Sequence, residues 1–419
     1  MPRGKVLAFG PRLLDSDSVW RLLTDRAAVS GRRTMLVSET GERLDYTQVA
    51  EQAGRVASAL HDMGIGPGTR VAWQLPTRLS TVLVMLALSR LGAVQAPIDP
   101  LLGRRETGAA IAAAQAEFLL VPGTWRGIDY RARASAVSGV SRVLTIGPDA
   151  PAGTGQWKPS QQRSGSWEKR WIFFSAGKTG LPKGAYHTDA SLLAAARGLA
   201  LRARLGEVVE DIAALGLPIA CAQSAVALLA ALQAGVGLIL MEHFDPGHAV
   251  GVLRQNGVTI VHGSPRIYQA LLDRQRGLPR SSSLLPDLRM LKGSVEPCSP
   301  DLFKAVEREL GVVVAHDYGM AEAPVISASG QYHTTEQLTN TDGAPIQSLR
   351  VRIVERGVET ALGRWGEIEV SGAALFRGYT DTSLNDKAFT DDGWFRTGDR
   401  GRLRADGHLE VWAGAGQPR

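Results

Sequence analysis

WIFFSAGKTGLPKGAYHT, residues 171–188, sets a short apolar run against a segment crowded with glycine, lysine, proline and hydroxyl side chains. The run WIFF has the length and composition of a buried strand. The segment SAGKTGLPKG that follows is too rich in glycine to continue as sheet or to become helix. Glycines let backbone N–H groups turn inward around an anion, hydroxyls add donors and lysines neutralise charge, so the chemistry fits a polyphosphate. A Walker A loop needs a glycine five residues before its Gly-Lys pair. Ile172 stands there, ahead of Gly177-Lys178, and excludes that loop.

Outward from this stretch, helical and strand patterns alternate. YTQVAEQAGRVASALHDMGI repeats apolar residues at helical spacing and stops at a glycine-proline cluster, residues 64–68. TRVAWQL then reads as a strand, LSTVLVMLALSRLGA as a buried helix and VQAPIDP as another strand. AEFLLV, SRVLTIG, VGLILM, VTIVHG and LRMLKG continue the series, which predicts parallel sheet covered by helices. Residues 149–165, DAPAGTGQWKPSQQRSG, read as an exposed connection. After about Gln331 the texture changes to short alternating strands, LRVRIVE, WGEIEVSG and GHLEVWAG, as in a small antiparallel sheet or barrel.

With 419 residues and 44% hydrophobic composition the chain has ample material for a core. The net charge of +6 comes from scattered arginines with no basic block, which argues against a nucleic-acid partner. Cys221 and Cys298 form no CxxC, and no His/Cys cluster has metal spacing, so a reducing, cytoplasmic setting is expected without disulfides or zinc. The N-terminus shows no export signal. Residues 212–241 are uncharged and long enough to span a membrane, but Pro218, Gln223, Gln233 and glycines divide them into strand, turn, helix and strand. No GxSxG elbow, HExxH or GxGxxG after a strand is present, and the eight histidines are dispersed.

Phe174, Ser175, Ala176, Gly177, Lys178, Thr179, Gly180, Leu181, Pro182, Lys183 and Gly184 together resemble the phosphate loop of the adenylate-forming superfamily, which includes acyl-CoA synthetases, acyl-AMP ligases and nonribosomal adenylation domains. Ala176 replaces a usual serine and Lys178 a usual threonine or serine. Four further stations follow in the family's order. AHDYGMAEA brings Asp317, Tyr318, Gly319, Met320 and Glu322, with Ala321 in place of a threonine. LKGSVEPCSPDL brings Gly293, Ser294, Val295 and Glu296 to the adenine wall. LPIACAQSA places Cys221 beside the acyl site, where a small buried hydrophobe is favoured over a reactive thiol. GWFRTGDRGRLRADGHLEVW matches the ribose-binding station, with Asp399 as the carboxylate.

The resemblance implies an α/β fold, layered αβαβα, with two mostly parallel sheets and a small terminal β-barrel. Expected divisions are residues 1–190, ending in the phosphate loop, 191–330, and a barrel-like 331–419. The family's small C-terminal domain, with its lysine and hinge arginine, is expected to be absent, and activity to be impaired accordingly. The implied reaction joins a carboxylic acid to ATP, giving acyl-AMP and pyrophosphate, and then passes the acyl group to the thiol of CoA or of a carrier protein's phosphopantetheine. Lys183, Lys178 and Glu322 are the implied catalytic groups, with Glu322 and Thr179 on the Mg²⁺ side. Ser175, Gly177, Thr179, Gly180, Gly184, Ser294, Val295, Glu296, Asp317, Tyr318, Gly319, Met320 and Asp399 would hold the nucleotide. Cys221, Gly293, Gly319 and Met320 would border the acid. A carrier protein or a chain supplying the absent domain is an implied partner. Two other readings stay open here: an acyl transferase working without ATP, and a non-catalytic member that binds an acyl group or nucleotide.

Overall fold

The computed structural model describes residues 13–135, 137, 139–153, 167–176, 182–207, 211–279, 281–293 and 298–412. Two sheets carry most of the strands. In the first, the spatial order is Pro182–Thr188, Lys169–Ala176, Val94–Pro97, Arg70–Trp73, Phe118–Val121 and Arg142–Thr145. Its central strands run parallel, and Lys169–Ala176 with Pro182–Thr188 closes one edge as an antiparallel hairpin.

The second sheet has nine strands. From one edge they are Ala344–Pro345, Ala323–Ala328, Val313–Met320, Met290–Gly293, Ile260–His262, Ile212–Leu215, Gly237–Leu240, Thr34–Ser38 and Arg43–Asp45. Its interior is parallel and both edges are antiparallel. The apolar segment 212–241 folds within this sheet as strand, turn, helix and strand. Among the described residues no helix is long and apolar enough to cross a membrane.

Layering follows from strand periodicity. Successive side chains on a strand point to opposite faces, so Val71 and Trp73 join the central core while Ala72 joins an outer one. Likewise Leu238 and Leu240 face the centre and Ile239 faces out. Between the sheets lie the helices Leu79–Leu91 and Ala222–Ala234, apolar on nearly every side, as a helix enclosed on all sides must be. Arg104–Ala114 covers the outer face of the first sheet. Pro246–Gln255, Pro265–Arg276 and Pro300–Leu310 cover that of the second. The result is the expected αβαβα stack.

Among the helix starts capped reciprocally, one lies next to the edge hairpin. Asp45 caps Tyr46–Asp62 reciprocally with Gln48. Thr188, the last residue of the edge hairpin, caps Asp189–Ala203 reciprocally with Ser191, which satisfies orphan N–H groups and fixes the turn from strand to helix.

The terminal strands take the sheet form of the sheet-or-barrel pattern read from their short alternating runs. They form a five-stranded antiparallel sheet in the order Val358–Glu359, Leu349–Glu355, Gly366–Gly372, Phe395–Leu403 and Leu409–Val411, and this sheet is not a closed barrel among the described residues. Its outer strands have two and three residues, too few to wrap around and pair with each other. Phe376, Tyr379, Phe389 and Phe395 pack edge-to-face and stacked beside it, holding residues 376–380 against the rest of the molecule.

Candidate active site

The edge hairpin presents Ser175 on one strand directly across from Lys183 on the other. Between the second and third sheets, residues 376–380 bind both the hairpin and the turn after Met320. Phe376 N–H donates to Glu322 O at 2.9 Å, Arg377 N–H to Tyr186 O at 2.6 Å, Tyr186 N–H to Gly378 O at 2.9 Å and Thr380 N–H to Gly184 O at 2.8 Å. Gly184 accepts this close approach because it lacks a Cβ, which would lie 2.9 Å from both Ile172 and Thr380.

These backbone contacts bring two side chains to one carboxylate and a lysine beside them. Ser175 Oγ and Tyr379 Oη each donate to Glu322 Oε1 at 2.8 Å. Lys183 Nζ lies 5.6 Å from the centre of the Tyr379 ring, within cation–π range. Glu322 is 5% exposed, and burial together with the neighbouring carboxylate pushes the Tyr379 hydroxyl above its ordinary range, so it stays a donor. His187 steadies the turn: its Nε2–H donates to Ala321 O at 2.8 Å. Burial lowers this imidazole to about 4. One carboxylate with flanking hydroxyls is a partial set that Mg²⁺ completes with phosphate oxygens and water, so these residues fit that ion.

A second junction lies on the strand Val313–Met320. Tyr318 Oη donates to Asp399 Oδ2 at 2.7 Å, and Asp399 N–H donates to Thr397 Oγ1 at 3.1 Å. Burial, and then Asp399, raise the Tyr318 hydroxyl well above its usual range. Gly319 is fixed by sterics, since a Cβ there would fall 2.2 Å from Pro324 O.

The third feature is buried. Lys292 is fully enclosed and donates to Asp317 Oδ1 at 2.6 Å and to Ser329 O at 2.8 Å, while Ser329 N–H donates to the same Asp317 oxygen at 3.3 Å. Burial pushes the Asp317 carboxyl up and the Lys292 ammonium down, and their contact opposes both shifts. A cavity of about 20 Å³ adjoins this pair, lined by Ser224, His262, Gly263, Gly293, Asp317 and Val325 among others. At Gly293 a Cβ would sit 1.9 Å from Gly263 O, so only glycine lets the two strand ends meet.

Of the residues expected at a site, the fold therefore gathers Ser175, Lys183, Gly184 and Glu322 at the hairpin, Tyr318 and Asp399 at the junction, and Gly293 and Asp317 at the cavity. Gly319 and Met320 belong to the strand between them but do not line the cavity. Cys221 is the N-cap of Ala222–Ala234 and lies outside the cavity lining, and burial pushes its thiol up to about 12, as for an inert packing group. Gly177, Lys178, Thr179, Gly180, Ser294, Val295 and Glu296 lie outside the described residues. Tyr379, Lys292, His187 and His262 were not singled out from sequence. Only Tyr379 carried a signal, as the end of GRWGEIEVSGAALFRGY, residues 363–379, which resembles the strand-rich stretch that precedes the family's ribose-binding station.

The sequence pattern of the AMP-binding enzyme family matches residues 23–380. A feruloyl-CoA synthase of Amycolatopsis sp is 29% identical over 388 residues, covering 92% of this chain and 76% of that protein. 4-Coumarate–CoA ligase 5 of Oryza sativa subsp. japonica is 26% identical over 413 residues, covering 94% of this chain and 75% of its own length. The ATP-bound crystal structure of MatB from Rhodopseudomonas palustris superposes with a TM-score of 0.83 at 24% identity, covering 95% of this chain and 79% of that one, and so shares the fold.

Proposed function

This chain belongs to the AMP-binding enzyme family, and we propose that it activates a carboxylic acid with ATP and transfers the acyl group to a thiol, as an acid–thiol ligase. In the first step an oxygen of the acid's carboxylate attacks the α-phosphorus. The bond from that phosphorus to the oxygen bridging to the β-phosphate breaks, and pyrophosphate leaves with the electron pair. In the second, a thiolate attacks the acyl carbon and AMP departs, leaving a thioester. The relatives' names point to CoA as the acceptor.

Negative charge builds on the phosphate oxygens during the first step, and preorganised cations and donors are what lower that barrier. Lys183 supplies one cation near the turn end of the hairpin, and Lys178 is the second cation that the sequence resemblance implies. Glu322, aimed by Ser175 and Tyr379, would hold Mg²⁺ with Thr179 nearby. When bound, that ion neutralises phosphate charge and orients the leaving group. Asp399 accepts from the ribose hydroxyls, Tyr318 packs by the adenine, and the backbone of residues 293–296 lines it. The acid's tail extends toward Gly293. A cytoplasmic setting belongs to the same reading.

The convergence of Ser175 and Tyr379 on Glu322, with Lys183 over the Tyr379 ring, carries this proposal, because it assembles hydroxyls, a carboxylate and a nearby cation of the kind a phosphate chain needs. Pyrophosphate release with ATP and Mg²⁺ across aliphatic, alicyclic and aromatic acids tests it. Acid-dependent release that is lost in Lys183→Ala and Asp399→Ala is expected. ATP binding that is absent in the unaltered chain overturns the reading.

A further inference from the structure

His262 ends the strand Ile260–His262, at the carboxyl edge of the second sheet, where ligands of open α/β sheets bind. Its side chain is 7% exposed and lines the cavity beside Gly293 and Asp317. Nε2 has no hydrogen-bond partner among the described residues. Its backbone carbonyl is already used, accepting from Gly216 N–H at 2.7 Å. Burial, followed by the Lys292 charge, lowers the imidazole to about 3, so the ring is neutral.

A buried polar atom without a partner works against folding, and an aliphatic side chain of similar volume would fill the space without that penalty. The imidazole therefore makes sense for something that enters the cavity. The surrounding wall is apolar at Leu199, Leu217, Ala227 and Val325 and polar at Gln223, Ser224 and Asp317, which suits a single polar group reaching in from a larger molecule whose carbon framework stays outside. At about 20 Å³ the space exceeds what one water-sized group needs, which is roughly 10–15 Å³. A hydroxyl meets both requirements. It can donate and accept, so it pairs with Nε2 in either neutral tautomer.

We propose that His262 Nε2 is a specificity-determining hydrogen-bond partner for a hydroxyl carried by the acid's organic portion, so that the substrate class is hydroxylated carboxylic acids. This rests on the reading of the chain as an acid-activating ligase. A site built to bond a hydroxyl discriminates strongly against the analogue lacking it, because the buried partner is then left unpaired.

The test uses the full chain and matched acids: 4-hydroxybenzoate with benzoate, 4-hydroxycinnamate with cinnamate, and 3-hydroxybutyrate with butyrate. Calorimetry in the presence of a non-hydrolysable ATP analogue gives affinities, and pyrophosphate release is measured separately. At least one hydroxylated acid should bind on the order of tenfold tighter than its partner, the loss expected for one buried hydrogen bond. His262→Leu should bring that pair to near equality with affinity for the ATP analogue unchanged, and His262→Gln should keep part of the preference. Equal binding within every pair, as when the cavity takes only water, overturns the proposal. So does a preference that survives His262→Leu, or no binding of any acid. A preference with no pyrophosphate release overturns acid activation alone, and release without a preference overturns the role of His262 alone.

Discussion

Tyr318 Oη donates to Asp399 Oδ2 across 2.7 Å, joining residues 81 positions apart and tying the second sheet to the third. A charge-assisted bond of this kind contributes about 1.5–3 kcal/mol when buried and less where solvent reaches it. Asp399 is only partly buried, so the lower end applies. Tyr318→Phe should lower the urea midpoint modestly. Because the proposed ribose carboxylate then loses its anchor, ATP affinity should fall by severalfold in the same variant. Unaltered ATP affinity beside a lowered midpoint would assign the pair to architecture alone.

Tyr379 touches Glu322 rather than any reacting atom in the proposed arrangement, and so acts by positioning. Tyr379→Phe keeps the ring under Lys183 and removes one donor to Oε1. The rate of pyrophosphate release should fall about tenfold, as expected for one such bond. The half-saturating Mg²⁺ concentration should rise as well. A variant that is merely less stable would leave the Mg²⁺ dependence where it was.

Lys292 and Asp317 are opposite charges buried in the interior. Removing one partner of such a pair leaves a buried charge uncompensated and typically destabilises by about 3–5 kcal/mol, whereas replacing both can be neutral. Lys292→Met should therefore lower the unfolding midpoint sharply. Lys292→Met combined with Asp317→Leu should recover much of the loss. Additive losses in the double variant would contradict this account of the pair.

His187 and His262 titrate near 4 and 3 in the folded chain, against an ordinary 6.5. Below 6.5 the unfolded chain therefore binds protons that the native state does not. Their contribution to stability is full above pH 6.5 and drains away as pH falls toward the folded values. Each ring adds up to about 1.4 kcal/mol per pH unit to that slope. His262→Leu should flatten the dependence between pH 6.5 and 4 by close to one proton, and stability at pH 7 should rise because an unpaired nitrogen is gone. An unchanged slope would show that His262 is not buried neutral.

Much of the fold was legible because parallel strands enclosed on both faces must be short apolar runs. VGLILM and LRMLKG announce themselves in that way. The strand WIFF was legible, but the hairpin was not, because Ser175 and Ala176 extend that strand and Pro182, Lys183 and Gly184 begin its partner within a segment whose glycines read as loop. Val358–Glu359 was not, because two residues carry no periodicity, and without the edge strands an open sheet and a barrel read alike. At the site, Ser175, Lys183, Glu322 and Asp399 stand in recognisable local patterns. The links among them do not. That Tyr379 reaches Glu322, or that Lys292 turns to Asp317, depends on how distant segments cross, and no spacing along the chain encodes it. His262 ends an apolar strand and reads as core, and only its unpartnered nitrogen distinguishes it.

The backbone of residues 376–380 is stitched to Glu322, Tyr186 and Gly184 by hydrogen bonds that belong to no sheet. A local opening that frees this segment must break the seam on the edge hairpin and on the Glu322 turn together. These elements thus form one cooperative unit despite lying almost two hundred positions apart. In hydrogen exchange, the Tyr186 and Thr380 amides should open with a common free energy, as amides do within one such unit. Weakening the aromatic packing around Phe376 should then loosen the proposed nucleotide site without altering any residue proposed to touch the nucleotide.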